Sequence, residues 1–159
     1  MKRPDFHVHY FPGLPGSGSV PEALSEAASS ADALLAKVKA NGADGMALLA
    51  RPYEQRELCE LQNEMLYRVM NEHPGEVTAF AAVAPSSWGK AAADAEALLE
   101  KGFAGIGMLD PTAQRFSLNA PVISAVANIC AGENAVLSFY TSFSVGEDFS
   151  GKSKILPVQ

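Results

Sequence analysis

The chain is poor in the residues that carry most recognisable chemistry. It has two cysteines, three histidines and one tryptophan in 159 residues. Cys59 and Cys130 fall in separate helix-like segments, so no disulfide framework is implied. Basic residues are also scarce. Twelve Lys and Arg face eighteen Asp and Glu, a net charge of -6, and there is no basic stripe. Such a surface repels nucleic acid rather than drawing it in. No stretch approaches the ~20 continuous apolar residues of a membrane span. No apolar run follows the opening "MKRPDFHVHY", which excludes a secretion signal in that stretch. A soluble, cytoplasmic protein is expected. No Gly-x-Gly-x-x-Gly follows the first strand, so a dinucleotide site has no support, and "GLPGSG" lacks the Lys-Ser/Thr ending of a phosphate loop. What the chain does have is hydrophobic content, 48% against 19% charged. That balance suits a packed core in a single domain spanning 1–159.

Short apolar runs alternate with longer amphipathic ones. "FHVHYF" reads as a first strand. "PEALSEAASSADALLAKVKA" reads as a helix ended by Asn41-Gly42. "GMALLA" is a second strand. "YEQRELCELQNEMLYRVMNEH" is the clearest helix, with Leu58, Leu61, Met65 and Val69 at three- and four-residue spacing, and Pro74-Gly75 stops it. "VTAFAAVA" is a third strand, "KAAADAEALLEK" a helix, "FAGIGML" a fourth strand, "APVISAVANICA" a helix and "AVLSFYTSF" a fifth strand. The strands are apolar almost throughout, which means burial on both faces. Strict alternation with helices indicates a parallel sheet with right-handed crossovers. The order alone leaves two architectures open: an open doubly wound sheet, or part of a (β/α)8 barrel. A complete barrel takes about 250 residues, and only five strand signals are present.

Two of the three histidines stand one residue apart in the first strand. Alternate strand residues point the same way, so His7 and His9 project side by side. They are candidate metal ligands; packed, hydrogen-bonded strand histidines are the bland alternative. Asp5 is a candidate to orient a histidine, or a turn residue after Pro4. Arg51 follows the second strand, where its guanidinium could clamp a carboxylate. Ser86, Ser87 and Trp88 follow the third strand, and Trp88 could pack on an aromatic substrate. Asp110 follows the fourth strand; it could reach a metal or water, or simply make the Asp-Pro turn. His73, before the third strand, reads as a helix-end cation favoured by the helix dipole.

Asp5-x-His7-x-His9 at the end of a first strand resembles the amidohydrolase superfamily, in its amidohydrolase 2 branch of metal-dependent hydrolases and aromatic-acid decarboxylases. "NGADGMALLA", "MNEHPGEVTAFAAVAP", "LLEKGFAGIGML" and "AVLSFYTSF" are similar, in order, to that family's approaches to strands two to five. The resemblance implies a partial TIM-type (β/α)8 barrel of about five parallel strands. It implies a divalent metal, zinc or manganese, held by His7 and His9, and a small carboxylated substrate. Arg51, Tyr140 and Trp88 would contact that substrate, with Asp5 and Asp110 in support, and no catalytic residue is assigned. The family closes strand five with a ligand histidine and strand eight with an aspartate. Tyr140 occupies the strand-five position here, and strands six to eight have no counterpart, as though the chain were truncated. The function expected is a hydrolase or decarboxylase with an incomplete site; the alternative is a non-catalytic partial-barrel subunit or binding module. Uncovered sheet edges lead us to expect a homo-oligomer or a partner chain.

Overall fold

A computed structural model describes residues 4–10, 30–85 and 89–140, with side chains from His7 onward in the first segment. The elements are β1 (Pro4–Val8), α1 (Ala31–Ala40), β2 (Gly45–Leu49), α2 (Arg56–Glu72), β3 (Val77–Ala81), α3 (Lys90–Glu100), β4 (Gly105–Leu109), α4 (Pro121–Gly132) and β5 (Val136–Phe139). All neighbouring strands are parallel, and the sheet order is β1-β2-β3-β4-β5. That order decides between the two architectures. Each crossover steps one strand in the same direction, and right-handed crossovers then put every helix on the same face. A doubly wound sheet needs a reversal of order to place helices on both faces. There is none among the described strands. The sheet is a curled half-barrel, as a partial TIM-type barrel requires.

Strand side chains sort by face. Met46, Leu48, Ala79, Ala81 and Ile106 point outward into one large core with Leu35, Leu66, Val69, Ala95, Leu99 and Val126 of the helices. Ala47, Leu49 and Phe80 point to the concave side, packed with Ala104 and Met108. Phe80 is the large residue there, and it is buried. Its ring needs Gly105 on the neighbouring strand. A Cβ at Gly105 would lie 2.9 Å from the ring and against the Val136 carbonyl oxygen.

Local signals set the helix limits. Ser30 is extended, and its hydroxyl accepts from the Ala33 N–H, which starts α1. The long helix expected from Pro21 therefore does not run through Ser30; residues 21–29 lie outside those described. Gly42, with φ of +84°, reverses the chain after the Asn41 cap. Pro121 opens α4 at a position where a missing N–H costs nothing. His73 ends α2, and its Nε2 lies 3.2 Å from Asp32 Oδ1 in the first turn of α1.

The second correction concerns α2. The face expected to be buried ran through Leu58, Leu61, Met65 and Val69. The buried positions are Cys59, Gln62, Asn63, Leu66 and Val69, and Leu61 is 45% exposed. The helix is turned so that two carboxamides, not two leucines, meet the sheet. The third strand also stops sooner than its apolar run. Ala82, Val83 and Ala84 are buried but have left the ladder.

Gly105→Ala should lower stability by about 1–3 kcal/mol, because an inserted methyl must displace backbone as well as the Phe80 ring. A urea-denaturation midpoint measures it. An unchanged midpoint would mean that Phe80 does not fill the concave side as described.

Candidate functional site at the carboxyl ends of the strands

Ladder hydrogen bonds stop where the strands end, yet the backbone there is still buried. Those groups must find partners. Three buried side-chain amides provide them. Asn63 Oδ1 accepts from the Ala82 N–H at 2.8 Å, and its Nδ2 donates to the Ala82 carbonyl at 2.8 Å. Gln62 Oε1 accepts from the Arg51 N–H at 3.0 Å. Gln114 is wholly buried; its Nε2 donates to the Tyr53 and Val83 carbonyls, and its Oε1 accepts from the Asp110 N–H. Gln114 thus ties together the segments that leave β2, β3 and β4. These residues hold the rim in place. Sequence reasoning missed all three, although polar residues at Gln62 and Asn63 inside the periodic pattern of α2 were the available signal.

On that rim, β1 presents the histidine pair. His7 is exposed and lies in the strand; His9 follows its last residue and is partly buried. Their Nε2 atoms are 3.0 Å apart and the rings meet edge-on. At that distance one imidazole donates a hydrogen bond and the other accepts. Burial lowers the proton affinity of His9, nearby His7 lowers it further, a hydrogen bond with the Leu49 backbone opposes this, and the Arg51 charge adds to the lowering. The net effect favours neutral imidazole, the form that binds metals. A ring nitrogen fixed by a backbone carbonyl is also how metal-binding histidines are commonly oriented.

Two metal–nitrogen bonds of about 2.0–2.1 Å span about 2.9–3.4 Å between their nitrogens. The His7–His9 separation therefore suits two members of one coordination shell. The fit is partial. Among the described residues no group of three or more His, Cys, Asp or Glu is placed to hold a metal ion. Cys59 and Cys130 are buried free thiols inside α2 and α4. Burial pushes the Cys59 thiol up to about 12, and its Sγ lies 3.4 Å from the Tyr53 carbonyl. Burial also raises Cys130.

The other candidates are placed as follows. Arg51 lies close enough for its charge to act on His9, and its guanidinium stands 5.7 Å from the centre of the Tyr53 ring. Asp110 is buried; its Oδ1 accepts from the Thr112 and Ala113 N–H groups at 2.8 and 3.1 Å, the geometry of a side-chain-capped turn. Tyr140 follows β5, its N–H donating to the Leu109 carbonyl at 2.8 Å. It stands at the opposite edge of the sheet from the histidines, four strand spacings or roughly 19 Å along the curve. The structure brings His7, His9 and Arg51 together at the ends of β1 and β2, while Tyr140 follows β5 at the other edge of the described sheet. For Asp5 only the backbone is described, in β1. Trp88, with Ser86 and Ser87, lies outside the described residues.

No family model and no curated protein matches the sequence. Solved structures do match the fold. A 5-carboxyvanillate decarboxylase from Novosphingobium aromaticivorans, with bound manganese and 3-methoxy-4-hydroxy-5-nitrobenzoic acid, has a TM-score of 0.61 at 16% identity. It is matched over 84% of this chain and 49% of its own. A probable 2-pyrone-4,6-dicarboxylic acid hydrolase from Acinetobacter baumannii, with citric acid bound, has a TM-score of 0.64 at 12% identity, over 87% of this chain and 49% of its own. A putative amidohydrolase from Staphylococcus aureus has a TM-score of 0.64 at 17% identity, over 89% and 48%. The chain spans just under half the length of each. At these identities the likeness is one of fold, and at that level it bears out the resemblance read from the ordered strand motifs. No helix among the described residues is long and apolar enough to cross a membrane.

Asn63→Leu should destabilise the protein by about 2–4 kcal/mol, since it strands a buried N–H and a buried carbonyl at Ala82. Asn71→Ala, which removes an exposed bond to the Tyr67 carbonyl, should change stability by less than ~0.5 kcal/mol. Urea denaturation of the two variants beside the parent checks both. Equal effects would remove Asn63 from its bracing role.

Proposed function

We propose that this chain is the metal-binding side of an amidohydrolase-type hydrolase or decarboxylase acting on a small carboxylated substrate. The observation that carries the reading is the convergence of the His7 and His9 Nε2 atoms at the carboxyl end of β1, on a half-barrel whose solved neighbours include decarboxylases and a hydrolase. His7 and His9 would hold a divalent metal, zinc or manganese. Such an ion, when bound, activates water or polarises a carbonyl or carboxylate. The chain's own residues do the rest. Burial of His9 favours its neutral ring, and the bond with the Leu49 backbone orients it. Arg51, beside His9, offers two parallel N–H donors to a substrate carboxylate. Tyr140 and Trp88 would line the substrate's far side, while Asp5 and Asp110 would support the site from behind. About three protein ligands are usual for a catalytic zinc, so one more is needed than the described residues supply.

A second reading rests on a specific observation as well. Tyr140 follows β5 at the position where the family resemblance implies a ligand histidine, and among the described residues no group of three or more His, Cys, Asp or Glu is placed to hold a metal ion. A binding module that uses the rim without catalysis fits that arrangement. Among the described strands β1 and β5 are the edges, and we further propose that a second copy or another chain covers them, since uncovered parallel edges invite pairing.

Titration of the purified protein with zinc and with manganese, followed by calorimetry, tests the metal site. One ion per chain is expected, weakened at least ~10-fold by either His7→Ala or His9→Ala. Absence of binding, or binding indifferent to both substitutions, overturns the reading. Binding without turnover of any carboxylated aromatic would select the module over the enzyme. Native mass spectrometry addresses the edges: a dimer or heteromer is expected, and a monomer at all concentrations would refute coverage by a partner.

A further inference from the structure

A cavity opens on the same end of the barrel but outside the strands. It lies between the N-terminal ends of α3 and α4 and the loop that follows β4, with a volume of about 580 Å³. That is within the ~300–1,000 Å³ range of small-molecule pockets. It shares no residue with the His7–His9–Arg51 group. Its walls are apolar, with Ala92, Phe116, Val122 and Ala125 prominent among them. Its lining carries one charge among the described residues, the guanidinium of Arg115.

The mouth carries one ion pair, between Arg115 and Glu54. Arg115 is 77% exposed, and its ion pair with Glu54 is long, at 3.5 Å. An exposed pair of that kind is weak and easily exchanged. Gly89 and Ala120, which precede α3 and α4, also line the cavity. Neither provides a side-chain cap, and neither helix has an acidic residue in its first turn. Two uncompensated positive helix ends therefore reinforce the arginine. Among the described residues no carboxylate is part of the lining itself; Glu54 meets Arg115 at its exposed side.

We propose that this cavity binds a small amphiphilic anion: a compound with an apolar body and one carboxylate head group. The body fills the space between Ala92, Phe116, Val122 and Ala125, replacing water from surface that has few polar partners for it. The carboxylate takes Arg115 from Glu54 at the mouth. The site is independent of the metal reading above.

Octanoate and 1-octanol are the probes, titrated calorimetrically into the whole chain. One octanoate per chain is expected. Arg115→Gln should weaken octanoate about 5–10-fold, as loss of a charge-assisted pair does, and leave octanol unchanged. Ala125→Phe should abolish binding of both. Ala92→Leu fills the same space from the other helix, should the phenylalanine variant fail to fold. The His7→Ala/His9→Ala variant should bind octanoate like the parent. The proposal is overturned if octanoate does not bind, if binding survives both filling substitutions, if Arg115→Gln has no effect, or if the histidine variant loses it.

Discussion

The paired hydrogen bonds between Asn63 and Ala82 are the constraint on which the rim of this half-barrel depends. A β-ladder satisfies backbone groups only as long as it continues. At the carboxyl end of β3 the chain leaves the ladder while still buried, and water is not at hand. A carboxamide is the one side chain that can copy a peptide group, giving one donor and one acceptor to the same residue. Asn63 does this for Ala82, and Gln114 extends the arrangement to Tyr53, Val83 and Asp110. Together with the Gln62 bond to the Arg51 N–H, these bonds brace the segments that carry Arg51 and Asp110.

The same constraint explains the orientation of α2. A helix packed on a sheet through leucines alone would place Leu58 and Leu61 inward. Here the helix is rotated to bring Gln62 and Asn63 onto the strand ends, and Leu61 is left largely in solvent. Burying Asn63 is favourable because both groups it bonds, the Ala82 N–H and carbonyl, are buried as well, while Gln62 takes up the half-buried Arg51 N–H. No buried side-chain nitrogen or oxygen among the described residues lacks a partner. Further along the helix layer, Arg56 reaches Asp94 through two bonds of 2.7 and 2.8 Å and Glu60 at 2.7 Å, fastening α2 to α3 at their N-terminal ends. The apolar cavity begins one helix further on, where α3 and α4 part at their N-terminal ends.

The histidine pair sits on β1, an edge strand among those described. Its geometry owes little to distant parts of the chain. Period-two alternation in β1 brings the rings together, and β2 contributes the Leu49 backbone bond and the Arg51 field. Tyr140, at the far edge, depends wholly on the curl of the sheet for its relation to them.

The sequence by itself determined the element order, the parallel pairing and the placement of His7, His9, Arg51, Asp110 and Tyr140 at strand ends, because those follow from local periodicity and turn residues. It left barrel and doubly wound sheet equally open on periodicity alone. Strand order decided between them, and strand order is a property of how crossovers pack, which no local window contains. It also pointed to the wrong face of α2. Hydrophobic periodicity scores apolar side chains as buried and amides as exposed, whereas Gln62, Asn63 and Gln114 bond backbone groups of the segments that leave β2, β3 and β4, up to 61 residues away. Only the tertiary structure brings those partners within reach, and only there does a carboxamide become worth more inside than a leucine.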